Sequence, residues 1–514
     1  MSYSYFGDKL RESGNKEHIE TTGNLMRLVA GGGIIVLFGS IIAKVLRFIL
    51  HIILARVLGV IYYGMYSLGQ SIVDILAYIG SLGDGRGMVI FGAIHLSKED
   101  FPRLKGTVIG FLLVSFSISA FLSVIFFILA PSISLRVFNN LALTNVFRMF
   151  SLGMPFYVLS MSCTAVAIAF NKVKYKLYIQ DFCQPLVNIA VVAALFILGL
   201  RLSGALLGFV LSSLASAFLG LILIKRSFLK GLVNTIAIFE IKKLLIYSAP
   251  VIFIISVYFF IFEIDRIMLG IMRSPADVGI YSVASSIAMN ILMFYGIFEA
   301  SFSPVIAQLY HHGKIFRLKK LYKLVAFWGI WLAFLPCISL IVFNREIISL
   351  FGSDFRIGQG VLGILTLAFF MEISSGQTRQ LLQMSTKQNV EFFNSLFCII
   401  INIGLNVVLI PPLGIIGASL ATFSSLVIIS VIRLIEIKII FGFTPFSSRH
   451  IKFAIFSLIL ILICLGWVSG LGLVIRFAFV ALILAFFVLI SFKLATRDDY
   501  LVFGLLKRRV LRKQ

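Results

Sequence analysis

The sequence predicts an all-α polytopic membrane protein of about fourteen transmembrane helices, arranged as two parallel-repeat six-helix bundles plus two C-terminal helices. Three observations lead there. First, 60% of the 514 residues are hydrophobic and only 13% are charged, and mean hydropathy is +1.06; so little polar surface cannot coat a soluble core. Second, the apolar residues come in runs of roughly 20, the length that spans a bilayer as a helix, and not in the ~10-residue alternating segments of a β-barrel. Third, a stretch of the first half recurs in the second.

Apolar runs between charged breaks place spans near 29–57, 62–82, 106–130, 145–170, 182–200, 203–224, 244–270, 278–308, 322–343, 360–384, 391–410, 415–436, 453–473 and 475–494. With the N-terminus inside, alternate loops carry 32 Lys/Arg on one side and 7 on the other, the latter being Arg136, Arg148, Arg201, Arg273, Arg345, Arg356 and Arg476. By the positive-inside rule both termini are expected in the cytoplasm of a cell (plasma or inner) membrane. The first 25 residues are polar and mixed in charge, without the apolar core of a cleavable signal peptide.

Residues 56–96 laid against 266–311 show the repeat. Gly64-Met65-Tyr66-Ser67 matches Gly279-Ile280-Tyr281-Ser282, and Ser71-Ile72 matches Ser286-Ile287, at one offset of 215 (279 − 64). The same offset sets Asp84 against Glu299. Gly208 and Leu211 meet Gly417 and Leu420 at an offset of 209 (417 − 208). Six helices return the chain to its starting side, so the halves are parallel, related by an axis along the membrane normal, with a cleft between them suited to a substrate. The expected division is a cytoplasmic tail (1–25), an N-terminal lobe (26–226), a C-terminal lobe (227–440), two additional helices (441–495) and a basic cytoplasmic tail (496–514).

The net charge of +24 is dispersed over short loops, which points to anionic lipid headgroups and away from nucleic acid. The cysteines Cys163, Cys183, Cys337, Cys398 and Cys464 lie in apolar segments without paired spacing, so neither a disulfide framework nor a metal site is implied.

Three motifs occur in order: Arg56-Val-Leu-Gly-Val-Ile-Tyr-Tyr-Gly64-Met-Tyr-Ser67; Ile264-Asp265-Arg266-Ile-Met-Leu-Gly270 followed by Asp277-Val-Gly-Ile-Tyr281-Ser-Val-Ala284; and Pro412-Leu-Gly-Ile-Ile-Gly417-Ala-Ser-Leu-Ala-Thr422. Together they resemble the polysaccharide and O-antigen flippases of the multidrug/oligosaccharidyl-lipid/polysaccharide exporter superfamily, over residues 25 to 440. The resemblance implies two six-helix bundles around a central cavity, often with two further helices. It also implies flipping of polyprenyl-(di)phosphate-linked oligosaccharide to the outer leaflet for cell-surface polysaccharide synthesis. Glycan polymerase or glycosyltransferases of the same pathway are then candidate partners. Lipid II flippases carry an Arg-Ile-Pro-Asn type motif after the second helix, where this chain has Gly83-Asp84-Gly85-Arg86-Gly87. Multidrug exporters of the fold remain the alternative. A membrane glycosyltransferase or polymerase is the alternative of another class, disfavoured by external loops of only about fifteen residues. No nucleotide-binding Gly-Lys-Ser/Thr loop or His/Cys metal spacing is present, so a transporter without cofactor, not an enzyme, is expected.

Ionisable side chains at bilayer depth cost about 2.5–3.5 kcal/mol each, so they should face a cavity or a partner. Lys44 and Arg47, i and i+3 on the first span with His51 beyond, are cavity candidates. A lipid diphosphate could satisfy them, Arg47 through its fork, as could a carboxylate such as Asp74 or Glu372. Ser67, Gln70, Ser71, Asp74, Tyr78 and Ser81 form one stripe on the second span, for sugar hydroxyls or for neighbouring helices; Gln70 and Asp74 are cavity candidates. Glu372 and Arg379, seven apart on the tenth span, are expected on one face, either bracketing the cavity or neutralising neighbouring charges. Arg56, Asp265 and Arg266, near the outer ends of spans one and seven, are gate or structural candidates.

Overall fold

A computed structural model describes the backbone of residues 4–229, 235–385 and 387–446, with scattered positions between 450 and 483. Within those stretches, side chains are described from residue 39 onward, except 40, 229, 249–259, 294–301 and 304. The helices expected at 453–473 and 475–494 lie mostly outside the described residues. So do the basic tail at 496–514, Cys464 and the Glu299 side chain.

The first twelve expected spans are helical. α1 (Ser4–Gly80) holds spans one and two, divided at Gly59. Its φ of 69° is a left-handed conformation that costs a residue with a Cβ. α2 (Arg86–Ser97), α3 (Phe101–Arg136) and α4 (Leu143–Ala169) follow. α5 (Lys174–Lys176) runs through a π-helical stretch, Leu177–Cys183, into α6 (Gln184–Ile197), and α7 (Leu202–Ile224) ends the first half.

α8 (Ile241–Met272) opens the second half, and α9 (Pro275–Ala288) starts on a capping box. The Asp277 N–H bonds the Ser274 hydroxyl, the Ser274 N–H bonds the Asp277 carboxylate, and Pro275 takes the first turn, where no N–H is needed. Then come α10 (Leu292–His311), α11 (Ile315–Val342), α12 (Asn344–Ser349), α13 (Gln359–Ser374), α14 (Thr378–Met384), α15 (Gln388–Leu413) and α16 (Ile415–Phe441). α13 and α14 correct the expectation of one continuous tenth span. Gly376, at φ 80°, breaks the winding, so Glu372 and Arg379 do not share one helical face two turns apart.

The chain forms two compact units: Met1–Leu54, Leu76–Ala130 and Asn145–Ile252; and Ala55–Ile75, Pro131–Thr144 and Phe253–Gln514. The second therefore incorporates two stretches, 55–75 and 131–144, that the sequence assigns to the first half. The first unit packs Met88, Phe111, Val166, Ile179 and Phe228 in its core. Within it, the connector between the halves lies against the start of α3. Ile238 N–H bonds the Pro102 carbonyl at 3.0 Å and Lys105 Nζ bonds the Thr235 carbonyl at 2.8 Å. Glu240 meets Lys243 at 2.6 Å, Arg103 at 3.5 Å and His95 at 3.8 Å. The Lys243 bond, ahead of the nearby charges, holds the Glu240 carboxyl below its ordinary range. In the second unit Leu318, Tyr322, Leu381, Leu382 and Ile437 pack together as one buried cluster.

Candidate functional site

Lys44 and Arg47 leave one face of α1 and are both exposed. Arg47 is held by the π-helical stretch that leads into α6. Its Nη2 donates to Asp181 Oδ1 at 2.6 Å and to the Gln180 carbonyl at 3.4 Å. The local sequence builds this acceptor. Pro185 has no N–H, and in the π winding of Leu177–Cys183 residue 185 would be the partner of the Gln180 carbonyl; that oxygen is left for the guanidinium. The Asp181 side chain is 10% exposed and that of Arg47 is 50% exposed. The pair is thus anchored at its acidic end and open at its basic end. Lys44, Arg47 and Asp181 together carry one surplus positive charge at bilayer depth, on a surface the first unit leaves uncovered.

The carboxylate beside Arg47 is therefore Asp181, not Asp74 or Glu372, the acids named from sequence. Asp74 lies in the second unit, where it accepts a bond from Gln70 at 2.8 Å and stands within electrostatic reach of Arg266. Of the polar stripe on the second span, Ser67, Ser71, Tyr78 and Ser81 are buried, and Gln70 and Asp74 half-buried. Glu372 accepts from Ser430 at 2.8 Å and from Arg433 at 3.4 Å. Arg433 is wholly buried and also grips Glu391, through Nε at 2.9 Å and Nη2 at 2.6 Å. Arg379 is half-buried on α14.

Arg56 donates through Nε to the Leu350 carbonyl at 2.7 Å. Arg266 is buried, bonding both Glu263 oxygens at 3.1 and 3.0 Å and Ser285 at 3.3 Å. Asp265 is fully buried and accepts from Tyr281, Thr422 and, at 2.7 Å, Asn406. Asn402 joins the nest by bonding Thr422 at 3.1 Å. One carboxylate among amide and hydroxyl oxygens is a donor set suited to a hard cation or a proton, and Asn406 Oδ1 is buried without a hydrogen-bond donor. Among the described residues no three His, Cys, Asp or Glu side chains gather as a metal site.

Sequence reasoning missed Asp181, Glu391, Asn402, Asn406, Thr422 and Arg433. Asn402 and Asn406, one turn apart in an apolar run, were a legible signal, since amides at that depth need partners. Glu391 and Arg433 were masked by standing near span ends, where charges report topology.

Residues 29–310 match the family model described as polysaccharide biosynthesis protein, and 250–408 match the MatE model. The first match takes in more than half of the chain. The chain belongs to the polysaccharide biosynthesis protein family, the flippase branch of the multidrug/oligosaccharidyl-lipid/polysaccharide exporter superfamily. An uncharacterized membrane protein of Methanocaldococcus jannaschii is 25% identical over 427 residues, 79% of this chain and 97% of that protein. A probable flippase of Haloferax volcanii is 30% identical over 174 residues, 33% of this chain and 36% of that protein. Among solved structures, the lipid II flippase MurJ in an inward closed conformation matches with TM-score 0.68 at 17% identity, covering 90% of this chain and 99% of that one. An inward-facing multidrug resistance MATE family transporter matches with TM-score 0.63 at 15% identity, covering 78% and 94%. The flippase family thus shares its fold with both, as the motif resemblance implied. The chain is a multi-pass membrane protein with the fold of transporters.

Proposed function

We propose that this flippase-family protein moves a polyprenyl-(di)phosphate-linked oligosaccharide from the cytoplasmic to the outer leaflet by alternating access, with both termini in the cytoplasm. The observation that carries the reading is the half-exposed Arg47 beside the exposed Lys44 on an apolar helix. Asp181 engages only one edge of the guanidinium, leaving the rest of the fork and the ammonium to meet a phosphate. An anionic headgroup repays the desolvation of two cations at that depth; a cationic drug would be repelled by them.

The test uses the purified protein in proteoliposomes and two probes: a fluorophore-labelled polyprenyl-diphosphate disaccharide and a lipophilic cationic dye. Diphosphate-dependent flipping that is lost in Arg47→Ala, without dye movement, is the expected result. Dye movement that Arg47→Ala does not impair, with no flipping of the glycolipid, would establish the multidrug reading instead.

A further inference from the structure

The two repeat-related glycines of the sequence, Gly64 and Gly279, meet each other. Within the second unit, a Cβ on Gly64 would overlap the Pro275 carbonyl and lie 2.9 Å from Gly279 N. A Cβ on Gly279 would overlap the Val60 carbonyl and lie 3.1 Å from Gly64 N and 3.3 Å from Gly64 Cα. Backbones this close leave no room for a side chain or a water between them. Nearby, Gly270 faces Leu68 and Phe138, Tyr63 sets its ring edge-to-face on Phe355 at 5.8 Å, and Arg56 bonds the Leu350 carbonyl. Each of these contacts joins an outer stretch of the first half (55–75 or 131–144) to the second half.

Equivalent residues of two parallel repeats touch only where the pseudo-twofold axis runs between them. We propose that the Gly64–Gly279 crossing is the outer seal of the transport pathway: a backbone-to-backbone contact on the repeat axis that must part each time the outer side opens. The inference rests on the alternating-access reading above, but its test needs no substrate. At the glycine crossing itself backbone meets backbone with no side chain to unlock, while the flanking Tyr63–Phe355 and Leu68–Gly270 contacts carry the apolar area of the seal. It also accounts for the glycine pair in the repeated Gly-x-Tyr-Ser motif, since a methyl on either side is excluded from the closed form and tolerated in the open one.

The experiment reads the accessibility of Ser67→Cys in an otherwise cysteine-free protein in intact cells, using a membrane-impermeant maleimide added outside. Ser67 is 7% exposed and sits one helical turn inward of Gly64. Adding Gly64→Ala or Gly279→Ala should raise the labelling rate at least about tenfold, because only the closed state is penalised. Gly363→Ala, where a Cβ meets nothing within 4 Å, should leave it unchanged. A second arm keeps both glycines: a bifunctional thiol crosslinker joining Tyr63→Cys to Phe355→Cys, whose rings meet at 5.8 Å in the native pair, should suppress external labelling of Ser67→Cys relative to the same protein left uncrosslinked. Labelling unaffected by either alanine in folded protein, or undiminished by the crosslink, would overturn the proposal. Loss of glycolipid flipping with the labelling pattern as expected would count against the substrate assignment and not against the seal.

Discussion

Arg47 and Asp181 allow a perturbation whose size follows from the geometry. Removing one partner of a fully buried ion pair costs about 3–5 kcal/mol because the other charge is stranded. Here the Asp181 side chain is 10% exposed but that of Arg47 is 50% exposed, so part of the pair is already hydrated. The cost of Arg47→Ala should fall near that of a charge-assisted hydrogen bond, about 1.5–3 kcal/mol. Adding Asp181→Asn removes the stranded charge and should recover most of that loss. Flipping behaves differently. If Arg47 meets a phosphate, the stable double variant stays inactive, and Arg47→Lys, which keeps the charge and loses the fork, is impaired with little loss of stability. Denaturant unfolding in detergent and glycolipid flipping in proteoliposomes, measured on the unaltered protein and these three variants, separate the two roles. Recovery of full activity in Arg47→Ala/Asp181→Asn would refute the phosphate role and leave Arg47 as the counter-charge of Asp181.

Arg433→Met should destabilise the protein by about 3–5 kcal/mol, since two carboxylates, Glu372 and Glu391, lose their cation inside the second unit; adding Glu372→Gln and Glu391→Gln should restore much of the loss in the same unfolding assay. Gly59→Ala should cost about 1–3 kcal/mol from the backbone alone, because φ 69° with ψ 177° is a region essentially confined to glycine and nothing lies within 4 Å of the new Cβ, and Gly59→Asn should cost no less. The connector should respond to acid. Glu240 has a depressed carboxyl, so its contribution is present above the ordinary value of 4.5 and is lost as pH falls through the lower folded value. Proteolysis of the connector should accelerate as pH falls below 4.5 and on through the lower folded value, and Glu240→Gln should show the fast rate already at neutral pH.

The span pattern was legible because lipid demands runs of about 20 apolar residues with backbone bonds satisfied inside each helix. The break at Gly59 fell between two expected spans for that reason. Gly376 was not legible, since a lone glycine inside an apolar run is tolerated in many helices, and only its left-handed backbone shows the interruption between α13 and α14. The cations of the candidate site were legible as misfits in an apolar helix. Asp181 was not, because it lies in a short polar stretch, 171–184, that reads as a loop edge, and nothing in its spacing announces the π winding that turns it toward Arg47. The repeat showed which glycines correspond, while their contact needed the structure.

The two halves have diverged in where they keep charge, and the repeat offsets show how. Shifted by 210 (266 − 56), Lys44 and Arg47 fall on Ile254 and Val257; shifted by 215 they fall on Phe259 and Phe262. By either register the second half has no cations there. Conversely, Asp265 shifts by 210 onto Ala55, and Asn402 and Asn406 shift by 209 onto Ala193 and Ile197, so the first half lacks the buried acid nest. The polar groups of the second unit are tied to one another: Asp265 to Tyr281, Asn406 and Thr422, and Arg433 to Glu372 and Glu391. Those of the first unit end in a half-exposed guanidinium. Under the proposed function, an anionic headgroup would find its counter-charge in the open cations of the first unit, while the enclosed nest around Asp265 in the second has the donor set that suits a cation or a proton.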